Sequence, residues 1–208
     1  MEKLKNGVKL FLYFFKKLVE TPEFGEVKYQ TYKQVNEIVT KFGDGLMKFT
    51  SVKTGENFGI YEDTRPEWMQ TALACARHSI PVVTCYASLG IGLFQIFFFF
   101  FKSLNNLDAL VHVVNETEIV GLVCNAKSIK LLDTLKDQMP TLKYLIYTDK
   151  LVDKSEHYEI LSFEEVVKLG EENPMKDFEK PKPETIAFLM YTSGSTGVPK
   201  GVVFYFLF

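Results

Sequence analysis

The chain of 208 residues is 47% hydrophobic and 24% charged, which fits one large or two small folded domains with a sizeable core and excludes a disordered or fibrous class. A formal net charge of −2 leaves no basic field, so nucleic acid is excluded as a partner. Cys75, Cys85 and Cys124 lack CxxC spacing, and His78, His112 and His157 lack metal-ligand spacing. Neither a disulfide framework nor a metal site is expected from them.

Residues 1–16 read as a basic amphipathic segment. The apolar run Leu10–Phe15 is too short to span a bilayer, and Lys16 and Lys17 stand where a signal peptide carries small residues, so secretion is not expected. Wound as a helix, Leu4, Val8, Phe11, Leu12, Phe15, Leu18 and Val19 share one face, with Lys5, Lys9, Lys16, Lys17 and Glu20 on the other. Such a helix suits a membrane surface or the flank of a domain, and a wrongly assigned start is the third reading.

From about residue 28 short β-rich runs alternate with helical patterns, the signature of βαβ units around a mostly parallel sheet. Phe58–Tyr61 reads as a strand, and Thr64-Arg-Pro-Glu67 as a capping box that opens a helix carrying Trp68, Leu73, Cys75 and Ala76. Ile80–Cys85 is the next buried strand. A second unit follows with Ile119–Cys124 as strand, Ser128–Gln138 as helix and Tyr144–Tyr147 as strand. Both crossovers are expected to be right-handed. Asn115-Glu-Thr117 has the form of a glycosylation sequon, but it falls in an expected helix of an intracellular chain and is read as coincidence. A helix over Phe163–Leu169 precedes the polar, proline-punctuated run 171–183, read as an exposed connection. The last strand is Thr185–Met190.

One stretch breaks this rhythm. Residues 91–107 include Phe97–Phe101, five consecutive phenylalanines with neither helical nor strand periodicity.

The chemistry concentrates directly after the last strand, in Thr192, Ser193, Gly194, Ser195, Thr196, Gly197, Val198, Pro199 and Lys200. Open parallel sheets bind ligands beyond the carboxyl ends of their strands. Glycines let the backbone approach a polyphosphate, hydroxyls and N–H groups donate to its oxygens, and Lys200 adds a positive charge. An ordinary P-loop nucleotidase is disfavoured, since that motif closes on Gly-Lys-Ser/Thr and here Pro199 precedes Lys200 and Gly201 follows. A flexible Ser/Gly linker would lack both the preceding β-run and the closing Pro-Lys-Gly.

Tyr191–Lys200 resembles the signature of the adenylate-forming, or AMP-binding, superfamily, which includes acyl-CoA synthetases, firefly luciferase and the adenylation domains of peptide synthetases. Upstream, Phe58–Trp68, Ile80–Gly90 and His112–Glu118 are similar to long-chain fatty acyl-CoA synthetases, particularly those of plants and protists. The resemblance covers residues 17–203 apart from 91–107. The stretch 91–107 therefore reads as a non-family insertion and 204–208 as a non-family tail. Both have the look of translated intron: phenylalanine codons match the pyrimidine tract before a 3′ splice site, and a valine codon opens with the GT of a donor.

What the resemblance implies is an α/β fold, the parallel-sheet N-terminal domain of an adenylate-forming enzyme, left incomplete at residue 208. It also implies a two-step reaction in which a fatty acid carboxylate attacks ATP, with Mg2+, and coenzyme A then displaces AMP. Thr192, Ser193, Ser195 and Thr196 would be phosphate donors, Gly194 and Gly197 hinges, and Lys200 a charge on the β- and γ-phosphates. The family's adenine-binding, magnesium-binding and ribose-binding elements and its catalytic lysine lie beyond residue 208, so no catalytic residue is assigned and the 208 residues alone are expected to be inactive. The alternatives are a non-catalytic truncated product or another adenylate-forming ligase. Residence is expected inside the cell, peripherally on a cytosol-facing membrane of the endoplasmic reticulum or an organelle envelope.

Overall fold

The computed structural model describes residues 29–85, 106–150, 154–192 and 199–206. The chain divides into Met1–Thr31 and Tyr32–Phe208, and the architecture below belongs to the second unit.

Helix α1 (Tyr32–Thr50) spaces Val35, Ile38, Val39, Phe42 and Leu46 three and four apart, which turns one apolar stripe to the core. The extended run β1 (Phe58–Tyr61) is buried at every position, as a strand covered on both faces must be. Helix α2 (Pro66–Arg77) starts on a proline, which needs no N–H partner in the first turn. It leads to β2 (Val82–Thr84), again buried throughout. Helix α3 (Asn106–Glu116) precedes β3 (Gly121–Asn125). A 3-10 turn at Ala126–Ser128, α4 (Ile129–Thr134) and a second 3-10 turn at Lys136–Gln138 return the chain to β4 (Tyr144–Thr148). Then come β5 (Glu159–Ser162), α5 (Phe163–Glu172), β6 (Ile186–Thr192) and β7 (Lys200–Tyr205).

The described strands form one seven-stranded sheet in the order β5-β4-β3-β1-β2-β6-β7. Every neighbouring pair is parallel except the antiparallel β6–β7 hairpin. Alternation along β3 sorts the core into two layers. Leu122 and Cys124 point to α3 and α4, joining Leu110, Val113, Val114, Ile129 and Leu132. Val123 points the other way, with Phe58, Ile60 and Ile146, toward α1, α2 and α5 and their Phe42, Leu46, Ala74, Cys75 and Val166. Helices on both faces of a mainly parallel sheet make a three-layer α/β body, as expected from the alternating pattern. Cys75, Cys85 and Cys124 are buried free thiols within it.

Several expectations need correction. No capping box forms at Thr64–Glu67: the residue before α2 is Arg65, extended and without a side-chain cap bond, because Glu67 is taken by the Arg65 guanidinium. The capping box is instead at Ser162 and Glu165, at the start of α5. A further strand, β7, follows the one expected to be last and pairs along β6 from Thr192↔Lys200 to Ile186↔Tyr205. Phe204 and Tyr205, the first residues of the stretch read as a non-family tail, pair within this ladder and keep their side chains exposed.

The run 171–183 is largely exposed, as read, although Glu171 and Glu172 still belong to α5 and the connection beyond them, 173–185, is fastened. Met175 N donates to Asp44 Oδ2 at 3.0 Å and Ser79 Oγ to the Glu179 carbonyl at 2.8 Å. The Arg77 guanidinium lies 4.3 Å over the Phe178 ring. Helix α3 begins at Asn106, inside the stretch 91–107. The amphipathic N-terminal helix and residues 91–105 lie outside the described residues.

Candidate functional site

Strands β1, β2, β3, β4 and β6 run in one direction. Their carboxyl ends at Tyr61, Thr84, Asn125, Thr148 and Thr192 thus share one edge of the sheet. Two polar constructions stand on that edge.

The first is the base of the β6–β7 hairpin. Thr192 pairs with Lys200 across the ladder, and its hydroxyl donates to the Lys200 carbonyl at 3.4 Å. Both side chains are exposed. Ser193, Gly194, Ser195, Thr196 and Gly197 lie outside the described residues. Thr192 and Lys200 are the two ends from which that segment leaves and returns.

Beneath this base sits Tyr191, its ring 4% exposed. It crosses Gly201 on the partner strand, where an added Cβ would come within 3.1 Å of the ring's Cζ. The phenol donates to Glu116 Oε2 at 2.5 Å, and His112 Nε2 is 3.4 Å from the same oxygen. Burial pushes the Tyr191 hydroxyl well above its ordinary pKa, and the Glu116 carboxylate pushes in the same direction, so it remains a proton donor. The neighbouring Cys85 thiol is pushed up to about 12 by burial, which leaves it a packing residue without nucleophilic character at neutral pH.

The second construction occupies the point where the topology reverses. From β1 the chain passes to β2 on one side and later to β3 on the other, which opens a crevice at the carboxyl ends of β1 and β3. Arg65 fills it. Its Nε and Nη2 meet both oxygens of Glu67 at 2.7 and 3.3 Å, and Nη1 reaches Thr148 Oγ1 at 3.2 Å and Asp149 Oδ1 at 3.0 Å. Thr148 donates a short hydrogen bond to Glu62, whose side chain is only 1% exposed.

Asp149 adopts a left-handed backbone, φ 64°, which aspartate tolerates. Its second oxygen accepts from Asn125 Nδ2 at 2.7 Å. The hydrogen bonds from Arg65 and then Asn125 hold the Asp149 carboxyl below its ordinary pKa. Burial is the largest influence on Glu67 and works to raise it, but the Arg65 hydrogen bond, a backbone hydrogen bond and the Arg65 charge together outweigh it and the net shift is downward. The Arg65 fork is spent on carboxylates, so this crevice is closed by an internal ion network and offers no free anion site.

Residues 13–206 match the AMP-binding enzyme family. The chain belongs to that family. It is 34% identical over 192 residues to long chain acyl-CoA synthetase 8 of Arabidopsis thaliana, a match covering 88% of this chain and 24% of that one. Fatty acyl-CoA synthetase A of Dictyostelium discoideum is 32% identical over 186 residues, with 86% and 25% covered. Long-chain fatty acid CoA ligase 4 of Saccharomyces cerevisiae is 29% identical over 197 residues, with 83% and 26% covered. The chain thus spans about a quarter of the length of these curated relatives.

Among solved structures, the adenylation domain of a carboxylic acid reductase from Segniliparus rugosus, in complex with AMP and a carboxylic acid, aligns with a TM-score of 0.67 at 15% identity, covering 86% of this chain and 29% of that one. The anthranilate CoA ligase AuaEII, bound to anthranoyl-AMP, aligns at 0.65 and 20% identity, covering 86% and 30%. At such identities the likeness is one of fold.

In this AMP-binding chain the structure brings together two of the residues expected on the phosphate loop, Thr192 and Lys200. Sequence reasoning missed what supports them. Tyr191 was read only as the first residue of the signature and Arg65 only as part of a capping box, while Glu116, His112 and Glu62 had no assigned role. A buried strand that closes on a polar-tipped aromatic was the one local signal available for Tyr191. Among the described residues no group of three or more His, Cys, Asp or Glu is placed to hold a metal ion.

Proposed function

We propose that this chain is the N-terminal part of an ATP-dependent long-chain fatty acid CoA ligase. The observation that carries the reading is the position of the Thr192–Lys200 hairpin at the carboxyl edge of the sheet, in a member of the AMP-binding family. Its similarity to long-chain acyl-CoA synthetases of a plant, a slime mould and a yeast supports the substrate class.

The proposed division of labour follows from donor chemistry. The hydroxyls of Thr192, Ser193, Ser195 and Thr196 donate to the oxygens of ATP, Gly194 and Gly197 let the backbone close on them, and the Lys200 ammonium offsets charge on the β- and γ-phosphates. Held there, the α-phosphorus faces the fatty acid carboxylate. That oxygen forms the new bond to phosphorus as the bond to pyrophosphate breaks. Coenzyme A sulfur then attacks the acyl carbon, and AMP leaves. Magnesium entering with ATP supplies further charge neutralisation. The protein's share of the first step is positioning and electrostatic stabilisation.

The basic amphipathic segment 1–16 is proposed to rest peripherally on a cytosol-facing membrane such as the endoplasmic reticulum or an organelle envelope. Among the described residues no helix is long and apolar enough to cross a membrane.

Because the 208 residues span about a quarter of their relatives, the direct test of function is a chimera. Residues 17–203 replace the matching stretch of an active long-chain acyl-CoA synthetase, and fatty-acid-dependent exchange between ATP and pyrophosphate is measured. Exchange with a long-chain acid, abolished by Lys200→Ala, is the expected result. A folded chimera that exchanges with no long-chain acid would overturn the reading. The isolated 208-residue chain is expected to show no ligase turnover.

A further inference from the structure

Tyr191 immediately precedes the hairpin base, and nothing in its packing requires a hydroxyl. The ring alone fills the space over Gly201, where an added Cβ would lie 3.1 Å from Cζ and 3.3 Å from the phenol oxygen. The hydroxyl instead reaches out of the β6–β7 hairpin to Glu116, the last residue of α3. At 2.5 Å the bond has the length of a charge-assisted one. Glu116 is half exposed, so its carboxylate would be satisfied by water without Tyr191 and has no burial demand of its own. Its helix is rooted in the core through Leu110, Val113 and Val114. His112, one turn earlier, approaches the same carboxylate oxygen at 3.4 Å. One side chain on a rigid helix therefore fixes the ring that spans both stems of the loop.

We propose that Glu116 is a positioning residue for the base of the phosphate loop, acting through the Tyr191 hydroxyl to hold the paired Thr192 and Lys200 fixed relative to α3. The inference rests on the phosphate-loop reading above. Its chemistry is narrow: Glu116 does not touch the ligand, and a glutamine retains an acceptor oxygen that alanine lacks.

The test uses the 208-residue chain with Tyr191→Phe, Glu116→Ala and Glu116→Gln, and with Ile146→Val as a variant that loosens the other layer of the core, on the opposite face of the sheet from Tyr191. Hydrogen exchange at the amides of Thr192 and Lys200–Val202 is read without ligand. The affinity for magnesium pyrophosphate is read by calorimetry well below the melting temperature. Expected are exchange about tenfold faster and affinity about tenfold weaker in Tyr191→Phe and Glu116→Ala, the loss typical of one hydrogen bond to a charged group, with Glu116→Gln recovering most of both. Ile146→Val should lower the melting temperature and leave the affinity unchanged.

Unchanged exchange in Tyr191→Phe and Glu116→Ala would overturn the inference. So would an affinity that merely follows melting temperature across all four variants. A wild-type chain that binds no pyrophosphate would sink the phosphate-loop reading instead, and the exchange data would still decide whether Glu116 holds the hairpin.

Discussion

Gly45 and Gly170 meet where α1 crosses α5, with the two helix backbones in contact. A Cβ on Gly45 would stand 1.9 Å from the Val166 carbonyl oxygen, and one on Gly170 would stand 1.8 Å from that of Lys41. The same crossing stacks Phe42 on Phe163 at 4.3 Å between ring centroids. Neither clash can be relieved by a side-chain rotation, because the obstructing atoms are backbone. Gly45→Ala or Gly170→Ala is therefore expected to cost about 3 kcal/mol, the upper range for overpacking. Urea denaturation of the chain, followed by circular dichroism, measures it.

Arg65 closes the crevice at the topological switch point, and its removal strands a carboxylate. Glu62 is nearly inaccessible, while the Arg65 side chain is 24% exposed. Breaking a buried pair costs 3–5 kcal/mol in general, and the partial exposure of the guanidinium argues for about 2–3 kcal/mol in Arg65→Ala. Arg65→Lys should recover little, since an ammonium cannot bridge Glu67, Asp149 and Thr148 at once. Denaturant midpoints of the two variants decide this. If lysine restores full stability, the fork geometry is not what matters.

His78 sets a pH dependence for the fastening of segment 173–185. It is fully buried, 3.2 Å from Asp44 Oδ1, and its ring is 4.7 Å from that of Phe178. Burial lowers its pKa. Asp44 pulls the other way, Arg77 adds to the lowering, and the net direction is down. The folded state therefore holds His78 neutral where the unfolded chain would already protonate it.

The resulting stability is complete above the unfolded histidine value of about 6.5 and is lost as pH falls from there toward the folded pKa. Thermal denaturation between pH 7.5 and 5.5 should show this loss in the wild type and a smaller one in His78→Gln. Equal slopes would assign the dependence to other groups.

Much of the fold was legible because it rests on local periodicity. Strands β1, β2, β3 and β4 are continuous apolar runs, as strands buried on both faces are, and α5 repeats its apolar positions at helical spacing. Strand β5 was missed because Glu159–Ser162 is a half-buried edge with mixed polarity. Strand β7 was missed because Lys200–Tyr205 has exposed side chains throughout and so no alternation to read, which left Lys200 with the loop and Phe204 and Tyr205 with the tail.

The site was legible only in part. Thr192 and Lys200 stand in a motif, but the partners that hold the edge are distant in the chain: Arg65 and Thr148 are 83 residues apart, and Tyr191 and Glu116 are 75 apart. No pattern of single residues specifies such pairs. The capping reading of Thr64–Glu67 failed for a different, local reason: Arg65, two residues before Glu67, pairs with its carboxylate and keeps it from a capping role.

Lys200 is the one cation in the proposed loop and is exposed at the start of β7. Calorimetric titration of the 208-residue chain with MgATP, in wild type and Lys200→Ala, shows whether the loop grips the phosphates of ATP. Phosphate binding by this loop requires saturable binding by the wild type, competed by pyrophosphate and weakened about tenfold by the substitution, as expected for loss of one charged phosphate contact. Binding that is indifferent to Lys200 and to pyrophosphate, or no binding by a chain that is folded by circular dichroism, would contradict it.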